Sequence, residues 1–193
     1  MYMHPAKDHT IGVGYDASEH GDFALYQGIQ ISLFNIADPT DVVRVDNKIH
    51  GERGSSSEVT GNPHAFFYSE ENNLFALPVI ELGDHSGSRW DWNMTLKFSG
   101  AVVYEIEGDS LLERARLSHD EFIPESCWRE LAQTQWWQNS SRSRDINRIY
   151  EVDGHLLTVS RYGLKQYSLD NLDNPVVSTE FPDAAQCVGG FSL

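Results

Sequence analysis

The feature that most constrains this chain is a phrase that it repeats. Residues 28–36 (GIQISLFNI) run into Ala37-Asp38-Pro39-Thr40-Asp41 and then 42–45 (VVRV). Residues 163–169 (GLKQYSL) run into Asp170-Asn171-Leu172-Asp173-Asn174-Pro175 and then 176–179 (VVST). Both read as a glycine, an alternating strand, an Asp/Asn/Pro turn and a Val-Val strand. A third copy, 100–117, keeps the glycine and both strands but turns on Glu107-Gly108-Asp109. Self-similarity of this kind signals repeat architecture, in which each unit buries its apolar face only against a neighbour.

Hairpins fill the space between the copies. Residues 146–152 (INRIYEV) and 155–161 (HLLTVSR) flank Asp153-Gly154, which readily takes the positive φ angles of a type I′ turn. Residues 64–69 (HAFFYS) and 74–82 (LFALPVIEL) flank the polar turn Glu70-Glu71-Asn72-Asn73. In 111–117, Leu111, Glu113, Ala115 and Leu117 alternate against Leu112, Arg114 and Arg116. That alternation, though imperfect, predicts one packed face and one wet one. Grouped together, the strands make three units of about four strands, at 2–61, 64–120 and 146–182, which is the content of a propeller blade. Residues 121–145 do not fit the pattern. Pro124-Glu125 and the spacing of Trp128, Leu131, Ala132, Gln135 and Trp136 predict a short amphipathic helix there.

These phrases resemble the C-terminal region of secreted β-propeller proteins of bacteria and archaea, distantly related to WD-40 repeats. The carrying segments are HPAKDH (4–9), IGVGYDA (11–17), GIQISLFNIADPTD (28–41) and GERGSSSEV (51–59). They continue with NPHAFFYSEENNLFALP (62–78) and INRIYEVDGHLLTVSRYGLKQYSLDNL (146–172). The resemblance covers most of the chain except the Trp-rich insertions and the tail. It implies an all-β fold over residues 1–193, a partial propeller of about three four-stranded antiparallel blades with a short helical insertion. It also implies an extracellular or cell-envelope location, although residues 1–10 lack the basic and apolar regions of a signal peptide. It carries no catalytic residue. Propeller rings run to about 4–8 blades, so the expected partners include the missing blades of a longer parent chain, or self-association.

Composition narrows the partners further. A formal net charge of −15 repels phosphate backbones and anionic membranes, so nucleic acid is not expected as a partner. No run reaches the roughly 18 apolar residues of a membrane span. Cys127 and Cys187 form no C-x-x-C pair, which excludes zinc-finger and thioredoxin readings. In an exported protein they could close one disulfide; the other reading is two separate buried thiols.

Motifs for chemistry are weak. Gly12-Val13-Gly14-Tyr15-Asp16-Ala17 has the form of a dinucleotide-binding turn, but the acidic segment 18–22 follows it where a helix N-terminus should face the diphosphate. Eight histidines include no H-E-x-x-H pair. Asp170, Asn171, Asp173 and Asn174, or Asp16, Glu19 and Asp22, offer calcium hard oxygen ligands, without EF-hand spacing. The same residues populate turns by bonding to their own backbone, so no cofactor is expected, with calcium as the exception to watch. Ser55-Ser56-Ser57-Glu58 lacks the nucleophile elbow. The tryptophans stand out: Trp90 and Trp92 in one loop, Trp136 and Trp137 in the insertion. Aromatic planes stack on sugars or anchor a protein partner, and they also build satellite cores. The expectation is a non-catalytic exported module that presents loops to a protein or glycan at the cell envelope. The alternatives are a hydrolase with carboxylates on the propeller's central face, or a structural fragment of a larger secreted propeller protein.

Overall fold

The computed structural model of the chain describes residues 1–20, 23–83, 95–123 and 146–182. These residues form three four-stranded antiparallel sheets, each an up-and-down meander whose spatial order is the order of the chain. The first holds β1 (Tyr2–Ala6), β2 (His9–His20), β3 (Phe23–Asn35) and β4 (Val43–His50). The second holds β5 (Phe67–Ser69), β6 (Leu74–Gly83), β7 (Thr95–Glu107) and β8 (Ser110–Leu117). The third holds β9 (Arg148–Val152), β10 (His155–Val159), β11 (Gly163–Ser168) and β12 (Val177–Glu180). Three blades is what the repeated phrase predicts.

Turn chemistry accounts for the tightest connections. Asp153 and Gly154 both have positive φ, 49° and 72°, the pair of values that a type I′ hairpin requires. Residues 64–66, expected to be strand, instead enter a 3₁₀ turn at Pro63–Ala65. Asn62 caps it, accepting from the His64 backbone N–H, with Pro63 at the first position. The strand therefore starts only at Phe67. The helix expected within 121–145, starting at Pro124, lies outside the described residues; a 3₁₀ turn, Asp120–Phe122, precedes it.

The middle blade is buried on both faces, which explains why 74–82 is a continuous apolar run rather than an alternating one. Phe75, Leu77 and Val79 of β6, with Val102 and Tyr104 of β7, pack against Ile11, Val13, Ile29, Ile31 and Leu33 of the first blade. The opposite side of the same strands, Leu74, Ala76, Ala101 and Val103, packs against Ile149, Leu156 and Tyr167 of the third. Pro78 is tolerated inside β6 because β5 pairs only with its first three residues, 74–76. The Pro78 carbonyl accepts from the Ser57 hydroxyl at 2.6 Å instead.

The imperfect alternation of 111–117 has a structural cause. Tyr104 pairs with Glu113 and Val103 with Ala115, so Arg114 is an extra residue that reverses the pleat. Before it, Leu111 faces the first blade; after it, Ala115 and Leu117 face the third.

The glycine that opens each repeated phrase has one job in all three blades. A Cβ on Gly28 would lie 2.3 Å from the Gly51 carbonyl oxygen, on Gly100 2.1 Å from that of Leu117, and on Gly163 2.5 Å from that of Thr179. The third strand thus approaches the end of the fourth more closely than any side chain permits. The far side of each outer blade stays partly open, with Tyr150, Val152 and Val177 on the third and Met3 and Ile49 on the first 42–51% exposed.

Candidate functional site

In an up-and-down sheet, successive connections alternate between its two ends. Those that follow odd-numbered strands include the tight turns at 7–8, 70–73, 108–109 and 153–154. Side chains join the blades across this end: His9 Nε2 to Asp109 at 2.9 Å, Asn35 to the same carboxylate at 3.0 Å, and Asn72 to Glu151 at 3.1 Å. Those that follow even-numbered strands include the long segments 51–66, 84–94 and 118–147. The Glu52 N–H donates to the Leu82 carbonyl at 2.7 Å, so the ends of β4 and β6 lie side by side. All five tryptophans fall within 84–94 and 124–145, segments that connect described residues at this even-strand end. Trp90, Trp92, Trp136 and Trp137 themselves, and Cys127 and Cys187, lie outside the described residues.

The same end holds a cleft of about 140 Å³ between the first two blades, lined by Tyr15, Ser56, Ser57, Glu58, Thr60 and the 78–80 stretch of β6. Ser57 caps the 3₁₀ turn Glu58–Thr60, its hydroxyl oxygen accepting from Val59 N–H. That turn carries Glu58 to the cleft. Tyr15 comes from β2, and its ring meets that of Tyr26 on β3 with centroids 5.2 Å apart and planes 31° from parallel. A bulge makes this meeting possible. Tyr15 pairs with Ile29 but Ala17 with Tyr26, so Gln27 and Gly28 together oppose Asp16. Strict alternation would put Tyr26 on the face opposite Ile29; the extra residue returns it to the face of Tyr15. No sequence pattern announced this, which is why neither tyrosine figures among the expected site residues.

Two buried polar networks flank the middle blade, each centred on a histidine delivered from the end of the preceding fourth strand. His50 Nδ1 lies 2.6 Å from Glu81 and its Nε2 2.6 Å from the Tyr104 hydroxyl. A carboxylate can only accept, so Nδ1 carries the proton. Arg116 donates to both Glu81 oxygens at 2.9 Å and through Nε to Glu113 at 2.8 Å, and its guanidinium lies over the Phe98 ring. Burial alone would raise the Glu81 pKa, but the bonds from His50 and Arg116 outweigh it and hold the carboxyl below its ordinary range. Burial and the Glu113 charge push the Tyr104 hydroxyl well up, so it stays neutral.

The second network is neutral throughout its centre. His119 Nδ1 meets the Ser160 hydroxyl at 2.7 Å and Nε2 meets Thr158 Oγ1 at 2.9 Å. Ser160 Oγ already accepts from Tyr162 N–H, and Thr158 donates to the Lys165 carbonyl. The consistent assignment has Ser160 donating to Nδ1 and Nε2–H donating to Thr158. Burial, helped by the Lys165 charge, brings the His119 pKa down to about 4. Lys165 itself donates to the Ser118 carbonyl at 2.6 Å and pairs with Glu121. With both ring nitrogens of each histidine spent on the next blade, these networks bind blade to blade rather than present a base to solvent.

The remaining motifs take structural places. Gly12-Val13-Gly14 lies within β2, with no helix after it, so the dinucleotide reading falls. Asn171 Oδ1 accepts from Asp173 N–H at 3.1 Å, a turn bonding to its own backbone. Among the described residues no three His, Cys, Asp or Glu side chains converge as a metal site. No helix among them is long and apolar enough to cross a membrane.

No curated protein matches the chain, and no solved structure does. One family model matches, described as a beta propeller domain, and it covers residues 1–172. With three four-stranded meanders packed face to face and a match across most of its length, the chain belongs to the beta propeller domain family.

Proposed function

We propose that this chain is a non-catalytic module of an exported propeller protein at the cell envelope, and that its even-strand end binds a protein or glycan partner. The observation that carries the reading is the asymmetry of the two ends. One is closed by turns and cross-blade hydrogen bonds; the other gathers the long segments that contain every tryptophan. Indole planes at a loop-bearing end supply large, rigid contact area at little entropic cost, which suits recognition. A glycoside hydrolase would set two carboxylates about 5–10 Å apart across one cavity, and the cleft between the first two blades is lined by one, Glu58. The partly open far faces of the outer blades are where further blades would dock, supplied by a longer parent chain or by self-association.

The test is substitution of the tryptophans in pairs, Trp90→Ala with Trp92→Ala and Trp136→Ala with Trp137→Ala. Each pair is screened against a glycan array and against envelope proteins retained by the intact chain. Lost binding with an unchanged melting temperature supports the reading. Lost folding makes the tryptophans a satellite core and refutes it.

A further inference from the structure

The cleft between the first two blades has the chemistry of a sugar subsite. Tyr15 lines it, and the Tyr26 ring lies beside that of Tyr15; the two residues are 38% and 67% exposed. Two adjacent, tilted aromatic rings left exposed at a bulge offer apolar surface to a flat partner, and the C–H face of a pyranose is such a partner. The cleft walls are polar, with hydroxyls from Ser56, Ser57 and Thr60 and the carboxylate of Glu58. The Ser57 hydroxyl is spent on the Pro78 carbonyl of β6, and that of Thr60 on the Ser57 carbonyl within the turn. The Tyr15 and Ser56 hydroxyls make no side-chain hydrogen bond among the described residues, and Glu58 uses one oxygen, towards Asn62 at 2.9 Å. A hydroxyl-bearing ring would find a stacking platform, two hydroxyls that donate or accept, and one carboxylate oxygen that accepts.

Size and charge restrict the ligand further. At about 140 Å³ the cleft is smaller than the roughly 300–1,000 Å³ that drug-sized molecules occupy, so it takes one ring of a longer chain rather than a whole ligand. Glu58 inside a protein of net charge −15 repels uronic, sialic or phosphorylated sugars. We propose that Tyr15, Tyr26, Ser56 and Glu58 form a subsite for one ring of a neutral polysaccharide. This rests on the reading of the even-strand end as a binding surface and names its ligand class.

The experiment titrates the full chain with hexamers of β-1,4-glucose, β-1,4-N-acetylglucosamine and α-mannose, and with hexagalacturonate as the anionic control, by calorimetry and saturation-transfer NMR. At least one neutral hexamer is expected to bind and the anionic one not to. Tyr26→Ala, at an exposed position, is expected to weaken binding about tenfold. Glu58→Gln, which keeps the Asn62 bond, is expected to do likewise by removing a charge-assisted bond. If a neutral hexamer binds and only the tryptophan pairs weaken it, the subsite is refuted while the binding end stands. Hexagalacturonate binding as tightly as a neutral hexamer also overturns the subsite. If no hexamer binds while an envelope protein does, the glycan class falls and the protein reading survives.

Discussion

His119 should make this protein's stability depend on pH in a defined window. The ring is 1% exposed, edge-on to Phe122, and both nitrogens sit in a network that is satisfied only by the neutral tautomer. The charged groups near it are Lys165, which opposes protonation, and Glu121, which favours it more weakly. In the unfolded chain the imidazole takes its proton near pH 6.5; in the folded chain it does so only near 4. Between those values the unfolded state binds the extra proton, so stability rises with pH. The contribution is fully present above about 6.5 and is lost as pH falls towards 4, about 3 kcal/mol in all. Between pH 7.5 and 4.5 roughly 2.5 kcal/mol of it should disappear. The assay is urea unfolding at pH 7.5, 6.5, 5.5 and 4.5 for the native chain and for His119→Gln, whose amide keeps one donor and one acceptor but does not titrate. The variant should start less stable at pH 7.5 and lose about 2.5 kcal/mol less on acidification. Other groups titrate in both proteins and cancel in the difference. Two parallel curves would refute the assignment of a neutral, blade-locking histidine.

Three further perturbations probe the same architecture. Gly28→Ala, Gly100→Ala and Gly163→Ala each drive a methyl group against a fourth-strand carbonyl and should cost about 1–3 kcal/mol by chemical denaturation. Gly61→Ala, whose Cβ meets nothing within 4 Å, should change stability by less than about 0.5 kcal/mol. Glu81→Ala leaves Arg116 and buried His50 without their shared acceptor and should destabilise by about 3 kcal/mol or more, whereas Glu113→Ala, at the exposed rim, should cost about 1 kcal/mol or less. In native mass spectrometry, ring closure by a second copy should appear as a stable dimer. Val177→Glu on the open face of the third blade should then return it to monomer.

The blades were legible in the sequence because their determinants are local. A glycine that must admit a neighbouring carbonyl, an Asp-Gly turn and a Val-Val return strand are each readable within ten residues. The repeated glycine turned out to mean more than strand punctuation, since it marks the same close approach in all three blades. What joins the blades was not legible, because it is assembled across long separations: His50 with Glu81 and Tyr104, His119 with Thr158 and Ser160. A histidine at the end of a strand looks like any surface histidine until the next blade is placed beside it. The cleft was hidden for a different reason. The Tyr26 ring reaches the face of the cleft's Tyr15 only through a bulge, and a one-residue bulge inverts the parity on which strand reading depends. Arg114 shows the same inversion at β8, where it hands one side of the strand from the first blade to the third. Alternation therefore predicts burial well in the stretches between bulges and fails just beyond them, where Tyr26 meets Tyr15 and Arg116 reaches the Glu81 carboxylate that His50 also binds. Two of these departures matter for the site and the lock: one brings Tyr26 to Tyr15, and the other brings Arg116 to the carboxylate that His50 binds.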